Sequence, residues 1–404
     1  MTGTERLYYA DSHLTEFDAR VVSRRAAGEG RAAVTLDRTA FYPTGGGQPS
    51  DTGLIGAARV VECVDEEEAG VVHIVEGEAP EAGASVKGRV DWPRRLDHIQ
   101  QHTGQHILSQ AFVELFRAET RGFRMSAEVS EIDVELDAPS DERIERAVER
   151  ANAIIWDDRA VRIHNVTASE AAAMPLRKDS AREGELRVIE IEGFDMSPCG
   201  GTHAQRTGEV GIIAARSWER AKGMTRIEFV AGARALADYR RANRTARGVA
   251  ALFSVGRDES AAAVVRLLDE NKALTRRVRA LEEIAARVEA AELLAGARRR
   301  ARDGARIVSK VLEAREAESL KRLASALAAH ARTVALVAAR DGESVRLVFA
   351  RSADADDDMN ALMREACSSI DGRGGGRPEM AQGGGRWRAG FDEMIEALAR
   401  KISV

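Results

Sequence analysis

The chain has 404 residues, enough for two to four domains with buried cores, and its 44% hydrophobic content is that of an ordinary globular protein. No run of about eighteen apolar residues is present to span a bilayer, which excludes a helical membrane role. The formal net charge of -5 argues against a generally basic, nucleic-acid-binding surface, yet arginines concentrate locally: Arg94 and Arg95; Arg234, Arg240, Arg241, Arg244 and Arg247; Arg298, Arg299, Arg300 and Arg302.

The first residues carry acids and aromatics where a secretory signal needs a basic start and an apolar stretch, so a cytoplasmic location is expected. Three cysteines, Cys63, Cys199 and Cys367, are too few and too scattered for a disulfide framework.

In chain order, residues 1–90 alternate short apolar runs with glycine-rich breaks, which predicts a small β-barrel. Asp91-Trp92-Pro93 then predicts a helix start, with apolar positions at helical spacing through Phe116. Strand-like pieces around a helix near 140–157 make residues 91–232 an α+β domain. Residues 233–325 are expected to be a helical, coiled-coil linker: Val264, Asn271, Val278 and Ala285 fill one heptad position and Leu267, Leu274, Leu281 and Val288 the other. The seam serves equally for a homodimer or for an intrachain hairpin against residues 308–330. Residues 326–404 alternate strands and helices around DGRGGGRPEMAQGGGRW, which predicts a small α/β domain with a glycine-rich central loop. The fold class is thus α+β, with a barrel, an α+β domain, a helical segment and a small α/β domain.

His102 and His106 stand i, i+4 in the predicted helix, so both imidazoles leave one face about 5–6 Å apart and can share a metal. Cys199 and His203 form a second pair, C-x₃-H, on a backbone loosened by Gly200 and Gly201. Nitrogen and sulfur donors favour one Zn²⁺ over Mg²⁺ or Ca²⁺. Thr103 stands where a zinc peptidase of the H-E-x-x-H type has its general base, which excludes that class. Four protein ligands suit a closed structural site and a catalytic site keeps a place for water, so both roles stay open.

Asp37 to Gly53 reads DRTAFYPTGGGQPSDTG, and no phosphate-binding loop signature occurs in it. Gly374 to Gly376 and Gly383 to Gly385 likewise lack dinucleotide-binding spacing, although with Arg373, Arg377 and Arg386 nearby they could form a backbone nest for RNA phosphates. No DNA-binding motif is found.

Taken in this order, the pieces resemble the editing portion of alanyl-tRNA synthetase and, more closely, the free-standing AlaX-type editing proteins of the long form. The match runs over nearly the whole chain. Asp37, Thr39, Phe41, Tyr42, Pro43, Gly45, Gly46, Gly47, Gln48, Asp51 and Gly53 match D-x-T-x-F-Y-P-x-G-G-G-Q-x-x-D-x-G, a highly specific motif. His102 and His106 match H-x-x-x-H, Cys199, Gly201, Thr202 and His203 match C-x-G-T-H, and Lys222, Gly223, Arg226 and Ile227 match K-G-x-x-R-I. GRGGGRPEMAQGGG is similar to the glycine-rich part of the DHH-associated domain, which the resemblance implies holds tRNA. Arg124 and Ser126 depart from the family, whose members commonly show a histidine and a glycine there. Threonyl-tRNA synthetase has related metal-binding elements but lacks the FYPTGGGQ barrel and the glycine-rich tail.

The resemblance implies a hydrolase that deacylates mischarged tRNA for alanine, carrying serine or glycine, with one zinc held by His102, His106, Cys199 and His203. Substrate contacts are implied for Thr39, Gly45, Gly46, Gly47, Gln48, Gly201, Thr202 and Arg226, the first four reading the amino-acid side chain. Met1 stands almost directly at the barrel, so no aminoacylation domain is expected before it and no amino-acid activation. The alternative is a non-catalytic tRNA-binding module with structural zinc. A phosphoesterase is excluded because no Asp-His-His catalytic half accompanies the DHH-associated tail.

Overall fold

In the computed structural model, which describes residues 3–66, 69–178 and 184–403, the chain divides into two units, Met1–Val249 and Ala250–Val404. The mixed α+β class expected from the sequence is the one observed.

The first unit opens with β1 (Glu5–Arg6), β2 (Glu16–Ala26), β3 (Ala32–Leu36), β4 (Arg38–Thr39), β5 (Gly53–Ile55), β6 (Ala58–Glu66), β7 (Gly70–Glu76) and β8 (Ser85–Val90). Strands β2, β3, β7, β6, β5 and β8 close a barrel in that order, and β1 pairs in parallel with β4. The barrel closes because its strands alternate: Phe17, Ala19 and Val21 point inward from β2 with exposed residues between them. They meet Val34, Leu36, Ile55, Val60 and Val71 in one core.

Helix α1 (Trp92–Phe116) follows, with Pro93 in its first turn; Asp91 stands at the N-cap position, but its side chain bonds no helix N–H. Its first turn is anchored by a fully buried ion pair, Arg95 Nε lying 3.1 Å from both carboxylate oxygens of Asp51. Asp51 also accepts the Tyr42 backbone N–H at 2.7 Å, so the aspartate of the glycine-rich motif locks that loop against the helix.

Then come β9 (Thr120–Met125), β10 (Ser130–Val134), α2 (Asp141–Trp156), β11 (Val161–Thr167), α3 (Ala168–Ala172), β12 (Glu185–Ile191), β13 (Asp195–Pro198), β14 (Ile213–Ala221), β15 (Met224–Ala231) and α4 (Gly232–Leu252). They make a four-stranded sheet, β14-β15-β10-β9, and a three-stranded one, β11-β12-β13. Apolar residues of α1 and α2 pack on Ile132, Ile227 and Phe229.

The second unit comprises α5 (Ser260–Ala295), β16 (Arg298–Arg299), β17 (Arg306–Glu313), α6 (Ala317–Ala328), β18 (Thr333–Asp341), β19 (Ser344–Arg351), α7 (Met359–Ser368), β20 (Arg373–Arg377), β21 (Met380–Arg386) and α8 (Phe391–Lys401). Its sheet runs β16-β17-β18-β19-β21-β20. Strand β18 serves two cores by strict alternation. Val334, Leu336 and Ala338 face α7 and α8, whereas Ala335, Val337 and Ala339 face α6 and the end of α5.

Four readings of the sequence meet the structure here. Residues 306–313, placed in the helical span 233–325, form a strand parallel to β18, because neighbouring Ile307 and Val308 are buried on opposite faces of the sheet. The glycines expected in a loop lie in strands β20 and β21, and α7 lies so close that a Cβ on Gly383 would sit 2.6 Å from both Cys367 Sγ and Met363 Sδ. They are small to admit a helix, with a packing role that composition does not reveal. Arg300, one of the local arginine cluster that could have made a basic face, is buried and bonds Asp303 and Asp357. Finally, α5 meets α6 through Ala290 and Leu294, while Leu267, Leu274, Leu281 and Val288 of the heptad stay exposed.

Candidate metal centre and cleft

Two elements of the first unit deliver the site. Helix α1 presents His102 and His106 on one face, their ring centroids 5.4 Å apart. The loop after β13 brings Cys199 and His203 to the same point, and the ligand atoms of all four residues lie within 4.8 Å of one another. His102 Nε2 and His203 Nε2 stand 3.2 and 3.3 Å from Cys199 Sγ. A tetrahedral zinc sets such separations at roughly 3.3–3.7 Å, given bonds of about 2.0–2.3 Å.

Each imidazole is oriented by a partner on its other nitrogen. His102 Nδ1 donates to Gln48 Oε1 at 2.7 Å and His106 Nδ1 to Asp195 Oδ2 at 3.2 Å, while His203 Nδ1 stands 3.4 Å from Thr103 Oγ1. Two tautomers follow from the acceptors: Gln48 Nε2 is spent on Thr202 Oγ1 at 2.9 Å, leaving its Oε1 to accept, and the Asp195 carboxylate can only accept, so Nε2 of His102 and of His106 is left free for a metal. Burial opposes a charged Cys199, but His102 and His203 beside it hold its thiol well below the usual cysteine range. Burial, outweighing the Cys199 sulfur, pushes His203 down to about 3; His106 is equally buried, but Asp195 and Cys199 raise it. A cysteine sulfur with three imidazole nitrogens is the donor set a soft or borderline cation takes, and these residues fit one.

His102, His106 and Cys199 of this cluster line a cleft of about 660 Å³. Tyr8, Tyr9, Tyr42 and Phe123 supply aromatic wall; Arg6, Arg121, Arg177, Lys178 and Arg187 supply positive charge. Next to His106, Gln105 donates to Ser109 Oγ at 2.8 Å and Thr120 to the same oxygen at 2.7 Å, a buried polar chain whose ends, Gln105 and Thr120, line the cleft.

Of the residues singled out by sequence, Gly45, Gly46 and Gly201 line this cleft. Gly201 must lack a side chain, because a Cβ there would enter the His102 ring. Gln48 and Thr202 stand behind His102 as a bonded pair. Gly47 holds φ +80 and packs against Phe123, its carbonyl accepting Met125 N–H at 2.9 Å. Two expectations fail on geometry. Thr39 is fully buried in the barrel with its hydroxyl 2.8 Å from His73 Nε2, and Arg226 on β15 pairs with Asp133 at 2.8 Å; neither lines the cleft. Arg124 points outward to Glu131 and also lies outside it. Sequence reading missed Tyr9, Gln105, Arg177, Arg187 and Asp195, which carry no spacing signal. Only Gln105, between the paired histidines, stood close enough to a recognised motif to be considered.

The chain matches three known families: tRNA synthetases class II (A) over residues 4–94, the threonyl and alanyl tRNA synthetase second additional domain over residues 186–228, and the DHHA1 domain over residues 304–403. It is 41% identical over 240 residues to the alanyl-tRNA editing protein AlaX-L of Pyrococcus horikoshii, covering 57% of this chain and 59% of that protein. It is 34% identical to the alanine–tRNA ligase of Pyrobaculum neutrophilum and 30% to that of Archaeoglobus fulgidus, each alignment covering 99% of this chain and 44% of the ligase. The chain therefore spans about half the length of these curated relatives.

Proposed function

We propose that this chain, which resembles AlaX-type editing proteins and the editing and C-terminal parts of alanyl-tRNA synthetases, hydrolyses the ester of mischarged tRNA for alanine. The observation that carries the reading is the convergence of three imidazoles and a cysteine sulfur, of which His102, His106 and Cys199 line a cleft of about 660 Å³. His102, His106, Cys199 and His203 would hold one Zn²⁺, whose chemistry there is that of a Lewis acid or an organiser of substrate.

The protein's own part is recognition and exclusion. A pocket made for alanine cannot reject an added hydroxyl by more than about 10²-fold, so correction after charging must recognise the hydroxyl itself. Gln105, donating through Nε2 to Ser109, keeps Oε1 to accept from a serine hydroxyl; Thr120 stands at the other end of the chain. Alanine offers that acceptor nothing, and glycine would be removed less selectively. Phe123, Tyr9 and Tyr42 shield the ester while water attacks its carbonyl carbon, the bond to ribose breaks and the ribose oxygen leaves as a hydroxyl.

We assign tRNA body contacts to the second unit and dimerisation to the exposed seam of α5, where Leu267, Leu274, Leu281 and Val288 are about half exposed at heptad spacing. Sedimentation of a Leu274→Glu, Leu281→Glu variant as a monomer beside a dimeric parent supports that assignment; a monomeric parent removes it.

The decisive assay is release of serine from serine-charged tRNA for alanine, beside alanine-charged tRNA and a Cys199→Ala control. Selective serine release, lost in a folded control, supports the reading. Absence of release from folded, zinc-loaded protein would leave the non-catalytic tRNA-binding module, which the four-donor set also suits.

A further inference from the structure

Arg187 projects from β12 beside the metal-binding loop and is nine-tenths buried. Its Nη1 donates to the carbonyls of Cys199 and Gly201 at 2.7 and 2.9 Å, and its Nε to the Tyr9 carbonyl at 3.0 Å. The backbone completes the grip, because Cys199 N–H donates to the Arg187 carbonyl at 3.0 Å and Gly201 N–H points at Cys199 Sγ at 3.4 Å. Among the described residues no carboxylate pairs with the guanidinium, and its Nη2 is buried without a hydrogen-bond partner. A group placed for core stability would be fully satisfied. This one spends its best-placed nitrogen on two carbonyls, either side of Gly200.

We infer that Arg187 is a positioning residue that aims the Cys199 sulfur at the three imidazoles. A charged fork reaching two carbonyls fixes the loop's turn, and that turn sets both the direction of Sγ and the Gly201 N–H that bonds it. Arg177 acts at a different point of the same segment: it bonds Asp195 at 2.8 Å and Ser197 at 3.1 Å, and through Asp195 it orients His106. The two arginines thus govern different ligands, and their variants fail differently.

The inference rests on the metal reading, and the test separates the two. Full-length wild type, Arg187→Gln, Arg187→Lys and Arg177→Gln are titrated with Zn²⁺ against a chelator and with Co²⁺ while the thiolate-to-cobalt charge-transfer absorption is followed, folding being checked by circular dichroism. We expect Arg187→Gln to bind zinc about 10- to 100-fold more weakly with a diminished thiolate band. Arg187→Lys, keeping the charge but not the fork, should behave the same way. Arg177→Gln should weaken binding while keeping the band. Wild-type affinity and band in either folded Arg187 variant overturn the inference and leave the metal reading standing; a wild type that takes up neither metal overturns both. Should Arg187→Gln fail to fold, Arg187→Lys carries the test.

Discussion

Gln48 and His102, 54 residues apart, are joined by a 2.7 Å hydrogen bond in which the imidazole Nδ1–H donates to the amide oxygen. The bond makes the glutamine of the glycine-rich motif an orienting group for a candidate metal ligand. Gln48→Ala should weaken zinc binding about 10- to 100-fold, whereas Gln48→Glu, which keeps an acceptor, should lose far less. Chelator competition measures both, and equal affinities would show that His102 needs no such partner.

Gln105 bears on selectivity. Gln105→Leu removes the acceptor but not the shape, so hydrolysis of serine-charged tRNA should fall about 10-fold in kcat/KM, the value of one neutral hydrogen bond, with zinc content unchanged. A variant as selective as wild type would move hydroxyl recognition elsewhere in the cleft.

Thr39 belongs to the barrel. Its hydroxyl serves His73 Nε2 at 2.8 Å and accepts Phe41 N–H at 3.1 Å. Thr39→Val leaves both unpartnered and should cost about 1–3 kcal/mol in urea denaturation. Discrimination between serine- and alanine-charged tRNA should not change; a selective loss of discrimination would restore Thr39 to the substrate site.

His73 makes the barrel acid-sensitive. Burial lowers its pKa from 6.5 to about 4, and its Nδ1–H donates to the Val34 carbonyl. The folded state resists protonation that the unfolded chain accepts, so this contribution is complete above pH 6.5 and declines as pH falls towards about 4. The span corresponds to about 3 kcal/mol. Urea midpoints from pH 8 to pH 4 should fall more steeply for wild type than for a folded His73→Gln variant. Parallel slopes would assign the acid sensitivity to other groups.

In the second unit, Gly383→Ala places a methyl 2.6 Å from the sulfurs of Cys367 and Met363. Overpacking of this kind costs about 1–3 kcal/mol. A thermal melt unchanged by the substitution would mean that α7 can move aside.

Short-range pattern by itself determined a good deal of this protein. The spacing of His102 and His106 fixes a shared helical face, because 3.6 residues per turn leave no other outcome, and the mixed α+β class follows from where periods of two and of 3.6 alternate along the chain. Tertiary structure alone decided the rest. Gln48, Asp195 and Arg187 reach the candidate metal centre from a barrel loop and two strands, through distances in sequence that carry no periodic signal. Thr39, adjacent in the same motif, is turned inward by its strand and spent on His73. The glycines of β20 and β21 look like a loop in composition, and only the close approach of α7 shows that they are flat to be packed against. A side chain's type is written in the sequence, but its direction depends on which distant backbone lies beside it.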